Sequence, residues 1–363
     1  METGKINPPS LLSSTSLLPV FDGHNDVVQH LREYKPGGID FLERSFTGHL
    51  DLHRAREGGL AGGLFATGVF PKQSPRDTLR LTADGYEVTL APPVPHGQAH
   101  AEIALQLAAL KAMATRSAGS VRLATTVEAI EKARADGALA MVLHLEGAEA
   151  IDEDLHALGE FYDAGLRSLG PVWSRSNAFG HGVPFAYPRS PDTGPGLTAA
   201  GERLVRAANE LGLLLDLAHL NERGFWDVAR LSRAPLVASH TCAHAVCAST
   251  RNLTDRQLDA ICDTDGLVGM NFSVSDVRPD GQSDSETPLA MLATQIRYLV
   301  DRVGINRVGI GSDFDGATIP NAIGDARGLP RLFDALRSAG FDEASLRKLA
   351  WENWMRVLRL TLG

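Results

Sequence analysis

The sequence predicts a (β/α)8 barrel, an α/β fold whose active site lies at the C-terminal ends of eight parallel strands. Eight short apolar runs of strand length occur along the chain, and longer amphipathic segments separate most of them. Polar residues able to carry chemistry follow several of these runs directly. Because βα units in series form parallel sheets, eight of them close most economically as a barrel. A doubly wound open sheet is the alternative, and it would normally need fewer strands.

The predicted strands are apolar segments bounded by polar or glycine-containing sequence. They cover Leu17–Phe21, Gly63–Phe70, Leu139–Leu145, Ser168–Val172, Leu213–Leu217, Pro235–Ser239, Leu267–Phe272 and Arg307–Ile310. The predicted helices carry apolar residues at helical spacing, and several begin with a capping residue or end before a glycine. They cover Ala99–Ser117, Thr126–Ala135, Leu155–Ala164, Thr198–Leu211, Asp255–Asp263, Pro288–Val303, Gly328–Ser338 and Asp342–Leu360.

Two stretches interrupt this alternation. Residues 78–90 read as a β-hairpin insertion around an Asp84-Gly85 turn. Residues 174–196 form a Gly/Pro-rich segment that is too long for a plain connection. Both follow predicted strands, so we expect them to form walls over the active site. Residues 1–16 are predicted to be an N-terminal tail, and residues 17–363 a single (β/α)8 domain with the hairpin as an insertion.

Composition excludes several classes of function. The chain of 363 residues is 44% hydrophobic and 22% charged, which is typical of a soluble globular protein. Its net charge of −9 argues against binding to nucleic acid, which needs a basic surface. No segment approaches the roughly 18 consecutive apolar residues of a membrane span, and residues 1–16 lack the pattern of a secretory signal.

Two further expectations concern the cellular compartment and the oligomeric state. The three cysteines, Cys242, Cys247 and Cys262, lack zinc-binding spacing and are predicted to be buried thiols in a reducing compartment. The cytoplasm is therefore the expected location. The sequence leaves the oligomeric state open, a homodimer being the commonest soluble assembly.

Candidate metal ligands lie at the ends of the predicted strands. His24 and Asp26 follow the first strand at a spacing that places both side chains on one side. Alone, this pair is more simply read as an ordinary turn. However, Glu146, His219 and His240 also end predicted strands, and in a barrel all such ends surround one mouth.

These residues are sufficient for two metal ions with a glutamate between them. Imidazole favours zinc over magnesium, so we expect two zinc ions per chain. Asp313 follows the last strand and is a further candidate residue at the same mouth.

The sequence resembles the membrane dipeptidase (renal dipeptidase) family of zinc metallopeptidases, whose barrel is amidohydrolase-like. The similarity spans nearly the whole chain in order. It lies in Asp22-Gly23-His24-Asn25-Asp26, Asp51-Leu52, Arg56-Glu57-Gly58-Gly59, Leu145-Glu146-Gly147, Leu215-Asp216-Leu217-Ala218-His219, Ser239-His240, Thr250-Arg251-Asn252 and Gly311-Ser312-Asp313-Phe314-Asp315-Gly316.

The resemblance implies a role for each matched residue. One zinc would be held by His24 and Asp26, a second by His219 and His240, and Glu146 would bridge them. Asp313 would handle the proton, with Asp315, which shares its face, as the second choice. Arg251 would bind the carboxylate of the substrate. From position alone, a loop salt bridge would be the simpler reading of Arg251.

One position departs from the family pattern. Many members carry a histidine at the end of strand four that contacts the tetrahedral intermediate, whereas the matching residue here is Trp173. An indole has one N–H donor and cannot carry a proton as imidazole does. We predict that Trp173 borders the substrate and that His181 swings in to replace the missing donor, with Arg175 and Asn177 as further candidates.

The sequence thus predicts a binuclear zinc dipeptidase in which a metal-bridging hydroxide attacks the peptide bond of a small dipeptide. Some family members accept a D-residue on the C-terminal side, and the resemblance extends that expectation to this chain. The alternative is another zinc amidohydrolase, such as an N-acyl-amino-acid hydrolase, which Trp173 keeps open. A non-catalytic, metabolite-binding barrel would lack a ligand or the aspartate, and none is missing.

Overall fold

The computed structural model describes residues 17–71 and 75–362. The predicted tail, residues 1–16, lies outside the described residues. In chain order the strands are β1 Val20–Asn25, β2 Leu60–Thr67, β3 Leu79–Leu81, β4 Tyr86–Val88, β5 Val121–Leu123, β6 Leu139–Glu146, β7 Leu166–Gly170, β8 Ala186–Tyr187, β9 Leu214–Leu215, β10 Val237–Thr241, β11 Leu267–Met270 and β12 Val308–Ile310.

The helices lie mainly between the barrel strands. They are α1 Leu52–Gly58, α2 His96–Arg116, α3 Val127–Ala135, α4 His156–Asp163, α5 Ala199–Leu211, α6 Glu222–Leu231, α7 Asp255–Asp263, α8 Val274–Val277, α9 Leu289–Val303, α10 Leu329–Ser338, α11 Glu343–Arg347 and α12 Asn353–Leu362. No helix in the described part of the chain is long and apolar enough to cross a membrane.

Eight strands form the predicted parallel barrel. The order is β1-β2-β6-β7-β9 on one side and β10-β11-β12 on the other, with β12 paired to β1. The remaining junction lies between β9 and β10, where Asp216 and Val237 form a parallel bridge. There the Leu217 N–H donates to the Val237 carbonyl at 2.8 Å. The barrel prediction is confirmed, and β5 adds a short ninth strand beside β6.

The first strand differs from the prediction in a way that matters for the site. We predicted Leu17–Phe21, but β1 begins at Val20 and continues to Asn25, so His24 lies inside the strand. Two hydrogen bonds from Ser312, one from its N–H and one from its hydroxyl, both at 2.7 Å, hold Asp22 against the chain that follows β12. Asp22, which the sequence places just after the predicted strand, therefore lies within β1 and helps to hold it against the segment after β12.

Helix prediction missed α1, α6 and α8 and treated the C-terminal helix as continuous. Few apolar side chains face the core on these short helices: α6 buries only Phe225 and Val228 as large apolar residues. Its start is set by Asn221, whose side chain accepts the Gly224 N–H at 2.9 Å. The predicted helix 342–360 is interrupted by a π-helical turn at Lys348–Glu352.

A compact apolar cluster fills the barrel below the strand ends. It contains Phe21, Ala140, Val142 and Leu214 from the strands and Trp354 from α12. Trp354 is fully buried and donates its indole N–H to the Ile310 carbonyl at 2.9 Å. Along β6 the residues Ala140, Val142 and Glu146 share one face, so Glu146 projects into the barrel mouth above this cluster.

The segments after β2 and β7 meet at that mouth. Strands β3 and β4 pair antiparallel around the Asp84-Gly85 turn. Strand β8, from the Gly/Pro-rich segment after β7, adds to β4 and makes a three-stranded sheet. The two stretches predicted to be separate walls are therefore joined.

Candidate metal centre

The predicted metal ligands come together at the C-terminal end of the barrel. The ligand atoms of His24, Asp26 and Glu146 lie within 4.8 Å of one another, and so do those of Glu146, His219 and His240. Glu146 is common to both groups. All five side chains are buried, each residue exposing at most 5% of its surface.

Glu146 occupies the centre of the cluster. Its Oε1 atom lies 2.9 Å from His219 Nε2, 3.5 Å from His240 Nε2 and 3.6 Å from His24 Nε2. The same His24 Nε2 atom is also 3.3 Å from Asp26 Oδ2. The Glu146 carboxylate thus lies between the pair His24 and Asp26 and the pair His219 and His240. This arrangement suits two metal ions that share a bridging ligand.

Hydroxyl groups orient two of the histidines. Ser174 Oγ lies 2.7 Å from His219 Nδ1, and Ser239 Oγ lies 2.7 Å from His240 Nδ1. These contacts leave both Nε2 atoms facing the cluster, as is usual for metal-binding imidazoles. His219 also has a positive φ of 66°, a conformation that costs about 1–3 kcal/mol for a non-glycine residue and concentrates at functional sites.

Burial strongly shifts the pKa values of groups in the cluster. Burial raises the pKa of the Glu146 carboxyl well above its usual value, although the charge of His24 opposes this. Burial, followed by the charge of Arg251, holds the pKa of His219 well below its usual value. Glu146 Oε2 and Asp26 Oδ1 are buried and have no hydrogen-bond partner among the described residues. Because unpaired buried carboxylate oxygens are costly, these donors fit a divalent ion.

Asp313 lies beside Asp26 at the edge of the cluster. A side chain added at Gly316 would meet the carboxylates of both Asp26 and Asp313, so the two converge there. Asp313 Oδ2 accepts the Asn271 side-chain N–H at 3.0 Å, and burial raises the pKa of Asp313 to about 6. Asp315, the second choice for the proton role, instead accepts the backbone N–H of His49 in a neighbouring turn.

Arg251 is a buried cation without a carboxylate partner among the described residues. It exposes 5% of its surface, and its guanidinium donates to the His240 carbonyl at 3.2 Å. Its charge lowers the pKa of both His219 and His240 after the effect of burial. Since buried charges are normally paired, this guanidinium beside the cluster is free to receive an anion.

The Trp173 ring packs directly against His219, one of the candidate metal ligands. Its ring centroid is 5.8 Å from that of His219 and 5.7 Å from that of Phe185. A cavity of about 250 Å³ lies between this aromatic group and the hairpin residues Val88 and Leu90. A larger cavity of about 390 Å³ is lined in part by Glu149 and Asn177 and by none of the five candidate metal ligands.

The structure does not bring His181 to the cluster. His181 Nδ1 lies 2.8 Å from Ser176 Oγ, and the described residues show no hydrogen bond from it to a candidate ligand. The other two candidates are also engaged elsewhere. Arg175 Nε lies 3.2 Å from Glu149 Oε1 in a buried pair, and Asn177 Oδ1 accepts the Phe179 N–H at 2.8 Å.

Sequence reasoning missed several residues that support the site. Asp216 accepts the Ser239 N–H at 2.7 Å and the Ser239 hydroxyl at 2.5 Å, so it orients the serine that contacts His240. Asn271 and Ser174 act in the same way on Asp313 and His219. Their only sequence signal is position near a strand end, because each partner lies on a different strand.

Fold and site together define a metal-dependent hydrolase built on a (β/α)8 barrel. A sequence model of the membrane dipeptidase family (peptidase family M19) matches residues 14–361. The chain belongs to this family, and it is accordingly a metallo-dipeptidase, a hydrolase of peptide bonds.

The chain is also similar to individual proteins. The chain is similar to a metallopeptidase from Rhodobacter sphaeroides solved with a phosphinate mimic of the dipeptide L-Ala-D-Ala, with 47% identity over 95% of this chain and 100% of that one and a TM-score of 0.92. It is 50% identical over 254 residues, 70% of this chain and 94% of the relative, to a Klebsiella pneumoniae protein described as "Uncharacterized protein in pqqA 5'region". A probable dipeptidase from Pseudomonas aeruginosa, 22% identical over 95% of this chain and 96% of that one, shares the fold with a TM-score of 0.80.

Proposed function

We propose that this protein is a binuclear zinc dipeptidase that cleaves dipeptides with a free C-terminal carboxylate, including those with a D-residue at that end. The observation that carries the proposal is the position of Glu146 within 3.6 Å of three imidazole nitrogens. His24 and Asp26 would hold one zinc, His219 and His240 the other, and Glu146 both. Zinc bound there would supply an ionised water near neutral pH and polarise the scissile carbonyl.

The remaining steps belong to side chains of the protein. Arg251 offers two parallel N–H groups to the C-terminal carboxylate, which selects short substrates over longer chains. Asp313, fixed by Asn271, would accept a proton from the attacking water and transfer it to the departing amine. The burial of the cluster excludes bulk water and strengthens each of these interactions.

The proposal for D-residues rests on similarity to a relative. The Rhodobacter sphaeroides structure holds a mimic of L-Ala-D-Ala, and that protein is 47% identical to this chain. The direct test is hydrolysis of L-Ala-L-Ala and L-Ala-D-Ala by protein of measured zinc content. We expect cleavage of both that a chelator abolishes and added zinc restores. Chelator-insensitive cleavage would contradict the metal assignment.

A second candidate is hydrolysis of N-acyl amino acids at the same site. It is favoured by the cavity beside Trp173, because none of the described residues that line it is charged and an apolar acyl group would fit there. N-acetyl-alanine and Ala-Ala distinguish the two, since both present the same carboxylate to Arg251. Faster hydrolysis of the N-acetyl compound would favour the second candidate.

We further propose a cytoplasmic location and a homodimer. Cys242, Cys247 and Cys262 are all free thiols, which supports a reducing compartment. Light scattering coupled to size-exclusion chromatography tests the dimer against the mass of 38.9 kDa for one chain.

A further inference from the structure

The cavity between the hairpin and Trp173 lies beside His219, one of the candidate ligands. Two residues that line the cavity, Trp173 and Phe185, contact the His219 ring at centroid distances of 5.8 and 6.2 Å, the first tilted and the second edge-on. A third, Ser174, lies 2.7 Å from His219 Nδ1. A substrate whose carbonyl lies at the cluster therefore has this cavity beside it.

The cavity has the chemistry of a pocket for an apolar side chain. Its walls are Val88, Leu90 and Pro92 on one side and Trp173 and Phe185 on the other. Its volume of about 250 Å³ exceeds the roughly 150 Å³ of an apolar cavity that holds a benzene ring. None of the described lining residues is charged, so an ionised side chain would enter it unpaired.

The position of Arg251 decides which residue of a dipeptide points there. Around the barrel the strands follow the order β7, β9, β10. Trp173 follows β7, His219 follows β9 and Arg251 follows β10, so His219 lies between Trp173 and Arg251 in the order of the strand ends. A dipeptide with its carboxylate at Arg251 and its scissile carbonyl at His219 would extend towards Trp173 with its N-terminal residue.

We infer that this cavity binds the side chain of the N-terminal residue and makes the enzyme selective for dipeptides that begin with a large apolar residue. The inference rests on the proposed dipeptidase function and names its substrate class. Trp173 is then a specificity-determining residue, since its indole forms one wall of the pocket and offers an edge or face to an aromatic substrate.

The test is kcat/KM for two dipeptide series on zinc-loaded enzyme, X-Ala and Ala-X, with X as Ala, Leu, Phe, Asp or Lys. Phe-Ala and Leu-Ala should exceed Ala-Ala by roughly 10- to 100-fold, and Asp-Ala and Lys-Ala should fall below it. A flat X-Ala series, or a larger effect in Ala-X, would overturn the inference and leave the proposed function intact. Hydrolysis of no dipeptide would overturn both.

A variant that fills the cavity tests its location. Ala91 lines the cavity, so Ala91→Phe should lower the ratio of kcat/KM for Phe-Ala to that for Ala-Ala at least tenfold. Ala101→Phe is the matched control, because Ala101 is exposed on α2, and it should leave the ratio unchanged. Zinc content and circular dichroism show that both variants are folded. An unchanged ratio in folded Ala91→Phe would overturn the inference.

Discussion

Replacing Arg251 with alanine should weaken recognition of the C-terminal carboxylate while leaving the metals in place. Arg251 is 95% buried and contacts no carboxylate of the described chain, so a bound substrate would supply its counter-charge. A hydrogen bond to a charged group contributes about 1.5–3 kcal/mol. A bidentate pair then corresponds to about 3–6 kcal/mol, or a loss of about 10²- to 10⁴-fold in kcat/KM.

The assay compares Ala-Ala with Ala-Ala amide in the wild type and the variant. The wild type should prefer the free acid strongly, because only the acid pairs with Arg251. Arg251→Ala should lose most of its activity on the acid, change little on the amide, and so lose the preference. Arg251→Lys keeps the charge without the planar fork and should fall between the two.

The controls separate recognition from folding. Arg256→Ala, five positions along on α7 and exposed, should retain full activity and the same preference. Zinc content and the unfolding midpoint are measured for every variant. An equal loss on acid and amide in a folded, zinc-loaded Arg251→Ala enzyme would refute the role of Arg251 in carboxylate binding.

The other predictions concern Asp313 and the barrel core. Because burial raises the pKa of Asp313 to about 6 and the proton acceptor must be ionised, kcat/KM should fall as the pH drops through about 6; a flat profile down to pH 4 would contradict this. Asp313→Asn should lower kcat by about 10²- to 10⁴-fold with zinc content unchanged, and loss of zinc would instead make Asp313 a ligand. Trp354→Ala removes a fully buried indole and its bond to Ile310, so chemical denaturation should show a loss of about 3–5 kcal/mol, whereas Trp226→Ala, on a partly exposed residue, should cost less.

The barrel could be predicted from the sequence because the patterns that indicate its strands are local. Each barrel strand is an apolar run, and a ligand candidate such as Glu146 or His240 lies at the end of such a run where periodic patterns stop. Boundaries were less accurate where polar residues take part in strand pairing. Asp22 reads as the end of β1, yet its carboxylate accepts two hydrogen bonds from Ser312, across 290 residues of sequence.

The supporting interactions of the site were not predictable for the same reason. The chain Asp216–Ser239–His240 depends on the closure between β9 and β10, and no local pattern records that Asp216 faces Ser239. The role of His181 stays a prediction, and the structure places its ring on a local partner. Its position in a loop near the site suggested that it could act there, but Ser176, five residues earlier, hydrogen-bonds its ring.

The proposed role of Glu146 in joining two metal ions is tested most directly by zinc stoichiometry. Mass spectrometry measures it on the wild type and on Glu146→Gln. The wild type should bind two zinc ions per chain, with dipeptidase activity rising as the second is added. Glu146→Gln is nearly isosteric, so the fold should persist while zinc binding and activity fall together. A wild type that is fully active with one zinc, or a Glu146→Gln variant that keeps two zinc ions and full activity, would contradict the account.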